Sequence, residues 1–157
     1  MKRTVLYIGI LVGLLLAPVE QMEVGKLIPV EVVSVYRQGE NYVIETDTQN
    51  KGIGQTPQAA LQNLKDTASG TIYLDTAKYL LLTQDAQNAV EVLRERLKHA
   101  TQLSEIERPL PMQEVAKFLD SHGKLPRLKQ WKEGTELPLL SAFEDSYIFL
   151  KKVENSA

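Results

Sequence analysis

Residues 4–19 constrain the chain more than any other stretch. They form an uninterrupted apolar run of roughly sixteen residues, about 24 Å as a helix at 1.5 Å per residue. Met1-Lys2-Arg3 stands in front of it as a basic flank. The run is short for a membrane span and long enough for a signal sequence. Cleavage would have to follow Ala17, the small residue near the end of the run, yet Leu15 fits the upstream small position poorly and Pro18 would sit just past the cut. The pattern therefore predicts an uncleaved signal-anchor over residues 1–19, a single pass through the cell membrane. With Lys2 and Arg3 held on the cytoplasmic side, the rest of the chain lies on the extracytoplasmic side. Membrane lipid is the expected partner of this segment.

The chain has no cysteine, which excludes a lipid-modified cysteine, a disulfide, a thiolate metal site and a cysteine nucleophile. Beyond the anchor, the length suits one domain with a real core, with no second boundary in view. The expected division is a stem over residues 20–28, a single domain over 29–153 and a flexible tail over 154–157. Setting Lys2 and Arg3 aside leaves 16 basic against 20 acidic residues, a formal charge of −4 for the exposed part. No basic stripe interleaved with aromatics is present to neutralise phosphates, so nucleic acid is not an expected partner.

Residues 30–36 are rich in β-formers, 37–41 read as a turn and 42–47 resume with alternation, which predicts a hairpin. A helix is expected over 57–69, with Ala60, Leu61, Leu64 and Ala68 on one face and Gly70 as its stop. Apolar strands over 71–74 and 79–82 are expected at the centre of the sheet. A second helix over 85–100 would turn Ala86, Ala89, Val90, Leu93 and Leu97 inward, and a third from Pro111 to about His122 would bury Val115, Phe118 and Leu119. The remainder, through Trp131 and Leu137 to Leu150, reads as a loop or short helix and one or two final strands. The predicted class is α+β or α/β: a mixed β-sheet with about three helices packed on it, behind an N-terminal membrane-anchor helix.

The stretch KGIGQTPQAALQNL, residues 51–64, places two glycines before a helix and so raises the question of a phosphate loop. A dinucleotide fingerprint needs a third glycine where Pro57 stands, and the nucleotide-hydrolase loop needs a Gly-Lys-Ser/Thr that is absent. The simpler reading is that Gly52 and Gly54 let a strand turn, Thr56 caps the helix and Pro57 takes its first position. No nucleotide and no cofactor are expected.

The order hairpin, Gly-rich turn, helix, the strand segment IYLDTAKYLLLT and a helix beginning DAQNAVEVL resembles the N-terminal domain of the Ger(x)C spore-germination proteins. The matching stretch is residues 52–97, with a weaker extension to Leu119. The resemblance implies a membrane-attached, extracytoplasmic subunit of a spore-forming Gram-positive bacterium that contacts integral membrane partners, and it carries no catalytic residues over. The anchor, this element order and the lack of a catalytic constellation together lead to the expectation of a module that docks on a membrane protein or on its own copies.

The inventory for catalysis is thin. His99 and His122 are the two imidazoles, both near expected helix ends, and neither belongs to a His-x-x-x-His or His-Glu-x-x-His spacing. No Gly-x-Ser-x-Gly elbow occurs. Asp47 and Asp75, each at the expected end of a strand, could serve a hydrolase as a carboxylate pair if the sheet joined them, although such residues more often cap turns. Trp131, flanked by Lys129 and Lys132, is the candidate contact for a partner or for the lipid headgroup layer. The alternative for the indole is a place over the core.

Overall fold

The computed structural model describes residues 26–122, 124–143 and 146–150. The expected signal-anchor and tail, and most of the stem, lie outside the described residues. The strands are β1 (Leu27–Pro29), β2 (Val32–Gln38), β3 (Asn41–Thr46), β4 (Lys51–Gly54), β5 (Thr71–Tyr73), β6 (Tyr79–Leu82), β7 (Gln102–Ile106), β8 (Leu139–Phe143) and β9 (Ser146–Phe149). The helices are α1 (Pro57–Thr67), α2 (Ala89–Arg94) and α3 (Met112–His122).

Seven strands make one mixed sheet in the order β4-β3-β2-β6-β7-β8-β9. Its middle, β2, β6, β7 and β8, is parallel, and antiparallel partners extend it at both ends. The whole is a single α/β domain. All four residues of β6 are buried, because a central parallel strand is covered on both faces and must be apolar throughout. The β2–β3 hairpin turns through Gly39 and Glu40. Gly39 has φ +63°, the left-handed value that the first position of a tight two-residue loop asks for.

The two faces carry separate cores. On one, Val33, Val35, Ile44, Leu80, Leu82 and Leu103 meet α1 and α2, and the segment leading to β8 adds Leu128, Trp131 and Leu137. On the other, Val32, Leu81, Ile106 and Leu140 meet Val115, Ala116 and Leu119 of α3. Helix α1 starts where expected: Thr56 caps it by accepting a hydrogen bond from the Ala59 N–H at 3.1 Å, and Pro57 follows.

Four expectations need correction. The strand at 71–73 is not central. It pairs in parallel with β1 as a separate two-stranded sheet, so the fold already begins at Leu27. The helix expected over 85–100 is regular only over Ala89–Arg94. The side chains of Gln87 and Asn88 are drawn to Glu105 and Tyr42 on the sheet, and the amides of Ala86, Val90 and Arg96 bond three residues back, the tighter 3₁₀ spacing. Its inward residues are all buried as expected. Gly52 and Gly54 are not in a turn but in strand β4, and Gln102–Ile106, given no role in the sequence reading, is the third parallel strand.

Candidate functional site

The two carboxylates singled out in the sequence stand at the amino-terminal ends of parallel strands and work locally. Asp47 Oδ1 accepts from the N–H groups of Glu31 (3.0 Å) and Val32 (3.2 Å), satisfying the backbone at the start of β2. Asp75 lies in the 3₁₀ turn Leu74–Thr76 ahead of β6, where its Oδ2 accepts from the Tyr73 hydroxyl at 3.4 Å. No polar contact joins the two among the described residues.

The histidines are equally local. His99 is exposed between α2 and β7. His122 ends α3, its Nδ1 lies 3.0 Å from the Phe118 carbonyl oxygen, and its ring stacks on Phe118 with centroids 4.3 Å apart. Among the described residues no group of three or more His, Asp and Glu is placed to hold a metal ion. At the same amino-terminal end, Lys78 Nζ meets Glu31 at 2.6 Å and Asp120 at 3.6 Å, and the Tyr79 hydroxyl donates to Asp120 at 2.7 Å. Burial, reinforced by the Asp120 carboxylate, pushes the Tyr79 phenol well above its ordinary range. This cluster fastens α3 to the start of β6.

The sequence trio around Trp131 divides. The indole keeps 4% exposure inside the first core, with the Arg94 guanidinium 5.4 Å from the ring centroid and donating to the Trp131 carbonyl at 2.8 Å. Lys129 and Lys132 are at the surface.

A crevice opens at the opposite, carboxyl ends of the strands. From β6 the chain leaves to α2 on one face, and from the adjacent β7 it leaves towards α3 on the other. Diverging exits from neighbouring parallel strands are where open α/β sheets form ligand crevices. This one encloses about 630 Å³ and is lined by both signs of charge, among them Arg37, Asp85, Glu105 and Arg108. Two of its carboxylates already accept hydrogen bonds: Asp85 from Thr83 at 2.5 Å, and Glu105 from Gln87 at 3.0 Å. Arg37 is held over the Tyr42 ring, 4.8 Å from its centroid, and donates to the Glu40 carbonyl. No imidazole lines it.

The third feature is the pair of sheet edges, which are finished differently. At β4, the outward N–H of Ile53 donates to Asn63 Oδ1 at 2.9 Å, and Thr67 of the same helix donates to the outward carbonyl of Lys51 at 3.3 Å. Helix α1 thus seals that edge. At β9, Leu150 N–H donates to Leu139 O at 2.9 Å, which fixes the alternation. The amides of Ser146 and Ile148 point towards β8, and those of Tyr147 and Phe149 point away from the sheet. The Tyr147 and Phe149 rings pack on Phe118 at 5.6 and 5.8 Å, whereas Ile148 and Leu150 on the other face remain 37% and 53% exposed. Among the described residues nothing pairs with β9 on its outer side, and no charge interrupts it. Sequence reasoning expected final strands here without indicating that one of them would be an edge.

Compared with protein-family models, with curated proteins and with solved structures, the chain matches none of them. Among the described residues no helix is long and apolar enough to cross a membrane.

Proposed function

We propose that the chain is a membrane-tethered, extracytoplasmic docking module, which works by associating with protein rather than by transforming a substrate. The observation that supports this best is the contrast between the edges among the described residues: one is capped by Asn63 and Thr67, and the other has no partner for the outward Tyr147 and Phe149 amides, beside exposed Ile148 and Leu150. An uncapped, uncharged edge strand is a template for another strand. The predicted signal-anchor supplies the tether, which raises the local concentration of such a surface. The pattern shared with the Ger(x)C proteins points to a role in sporulation or germination alongside membrane protein partners.

A second reading, an extracytoplasmic hydrolase using acidic residues, rests on the crevice, since Asp85 and Glu105 line it while Asp47 and Asp75 do not. Complementation of a deletion strain in the sporulating host separates the two readings. Ile148→Lys and Leu150→Lys are expected to leave membrane-fraction abundance unchanged and to abolish complementation of spore formation or germination. Asp85→Asn and Glu105→Gln are expected to complement. The reverse pattern would favour the hydrolase, and recovery of the chain mainly as a processed soluble product would contradict the tether.

A further inference from the structure

We infer that the crevice at the carboxyl ends of the parallel strands binds a free α-amino acid, held by its own ammonium and carboxylate as one more residue of the sheet. The site is separate from the β9 edge, and its occupancy does not depend on what that edge meets.

The shape of the crevice follows from where β6 stops. Val35, Leu82 and Glu105 lie side by side on β2, β6 and β7. Strand β2 runs on to Gln38, and the chain after Ile106 also continues past this level, while β6 gives way at Thr83 to the 3₁₀ turn Gln84–Ala86. Two strand spacings, about 10 Å, then separate the two sides, which leaves a gap one strand wide.

Hydrogen-bond parity shows what the gap presents. In the β2–β3 hairpin Gln38 pairs with Asn41 across the two-residue loop, so Arg37 opposite Tyr42 is a non-hydrogen-bonded position whose N–H and C=O turn away from β3. Val35, two residues earlier, has the same orientation, and its carbonyl accepts from the Thr83 N–H at 3.0 Å. On the other side, Gln102 N–H donates to Lys78 O, so the even-numbered residues of β7 face β6 and the Ile106 carbonyl faces the gap. Among the described residues no hydrogen bond reaches the Arg37 N–H or C=O or the Ile106 C=O. The next residue of Arg37's parity is Gly39, already in the turn, so β2 offers one residue for pairing and not a length of strand. A single residue that exchanges both bonds with Arg37 completes one hydrogen-bonded antiparallel pair. The carboxylate and ammonium on the α-carbon of an amino acid supply that acceptor and donor.

The charges select the free molecule over a peptide bond. Asp85 and Glu105 are engaged by Thr83 and Gln87. Glu107 and Arg108 also line the crevice, and among the described residues neither side chain has a hydrogen bond or an ion pair. An anion would meet the three carboxylates, and a cation would meet Arg37 and Arg108. A ligand carrying both charges matches both, with Arg108 for its carboxylate and Glu107 for its ammonium. The volume of about 630 Å³ lies in the range of small-molecule sites.

Calorimetric titration of the full chain in detergent micelles tests the site, with glycine, L-leucine, L-glutamate and L-lysine as separate probes. At least one is expected to bind saturably at one per chain and to slow hydrogen exchange of the Arg37 amide. The C-terminal amide and the N-acetyl form of that amino acid are expected to bind the parent chain at least tenfold more weakly. Arg108→Gln and Glu107→Gln, with unchanged thermal midpoints, should weaken the free amino acid at least tenfold. Asp75→Asn, at the opposite end of the sheet, should bind as the parent does, and so should Ile148→Lys, so the outcome is separate from that of the docking test. No saturable binding by any of the four probes, equal affinity for the blocked forms, indifference to both crevice variants, or an Arg37 amide left unprotected overturns the inference.

Discussion

Replacing Gly52 by alanine is expected to destabilise the domain by about 3 kcal/mol or more, at or beyond the upper end of ordinary overpacking. A Cβ built on Gly52 would stand less than 3.0 Å from the Ala60 carbonyl oxygen and the Leu64 amide, and one on Gly54 would press on the backbone of Ala59 and Ala60 in the same way. Backbone atoms in the middle of a helix cannot step aside as a flexible side chain can. Relief therefore means lifting α1 from β4. That motion would also break the Asn63 and Thr67 bonds that close the edge. Neither glycine has a positive φ, so the cost comes from contact and not from backbone strain. Urea unfolding should show a lower midpoint with an unchanged slope for Gly52→Ala and for Gly54→Ala. A loss below about 1 kcal/mol at both positions would mean that the helix does not sit this close to the strand.

Trp131→Ala is expected to cost about 3–5 kcal/mol, the range for emptying a buried tryptophan site. The indole shares the first core with Leu128 and Leu137, and the Arg94 guanidinium stands over its ring. Its removal leaves both a cavity and a half-buried arginine without its ring. Lys129→Ala and Lys132→Ala, at the surface on either side, are expected to stay within about 0.5 kcal/mol of the parent chain. Thermal unfolding of the three variants checks the contrast. A Trp131→Ala variant as stable as the two lysine variants would return the indole to the surface and to the role of a partner anchor.

Much of the architecture was legible because periodicity reports burial. The hairpin, α1 with its Thr56 cap and Pro57, the apolar β6 and the inward face of α3 all follow from local pattern and capping chemistry. What escaped depended on partners distant in sequence. Ser104 and Glu105 make β7 look polar. Yet Ser104 is buried, donating to the Pro138 carbonyl at 2.8 Å, and Glu105 is tied to Gln87. Strand β4 looked like a loop because its glycines answer to a helix packed against them, which no local rule reveals. Local pattern puts Asp47 at a strand end, where it stands, but whether it meets a second acid depends on the sheet order. That order sets it on the Glu31 and Val32 amides. The edge character of β9 was invisible for a similar reason: a strand is an edge only by virtue of what fails to pair with it.

On the docking reading one sheet edge is sealed and the other is kept for a partner, and amide hydrogen exchange resolved to single residues tests this most directly. In dilute protein the Ile53 amide is expected to exchange slowly, held by Asn63, whereas the Tyr147 and Phe149 amides exchange fast beside a slow Ile148. In the membrane-bound full chain, Tyr147 and Phe149 are expected to become protected while Ile53 does not change. Protection of Tyr147 and Phe149 already in dilute monomer, or their fast exchange in the membrane-bound chain, would contradict the account.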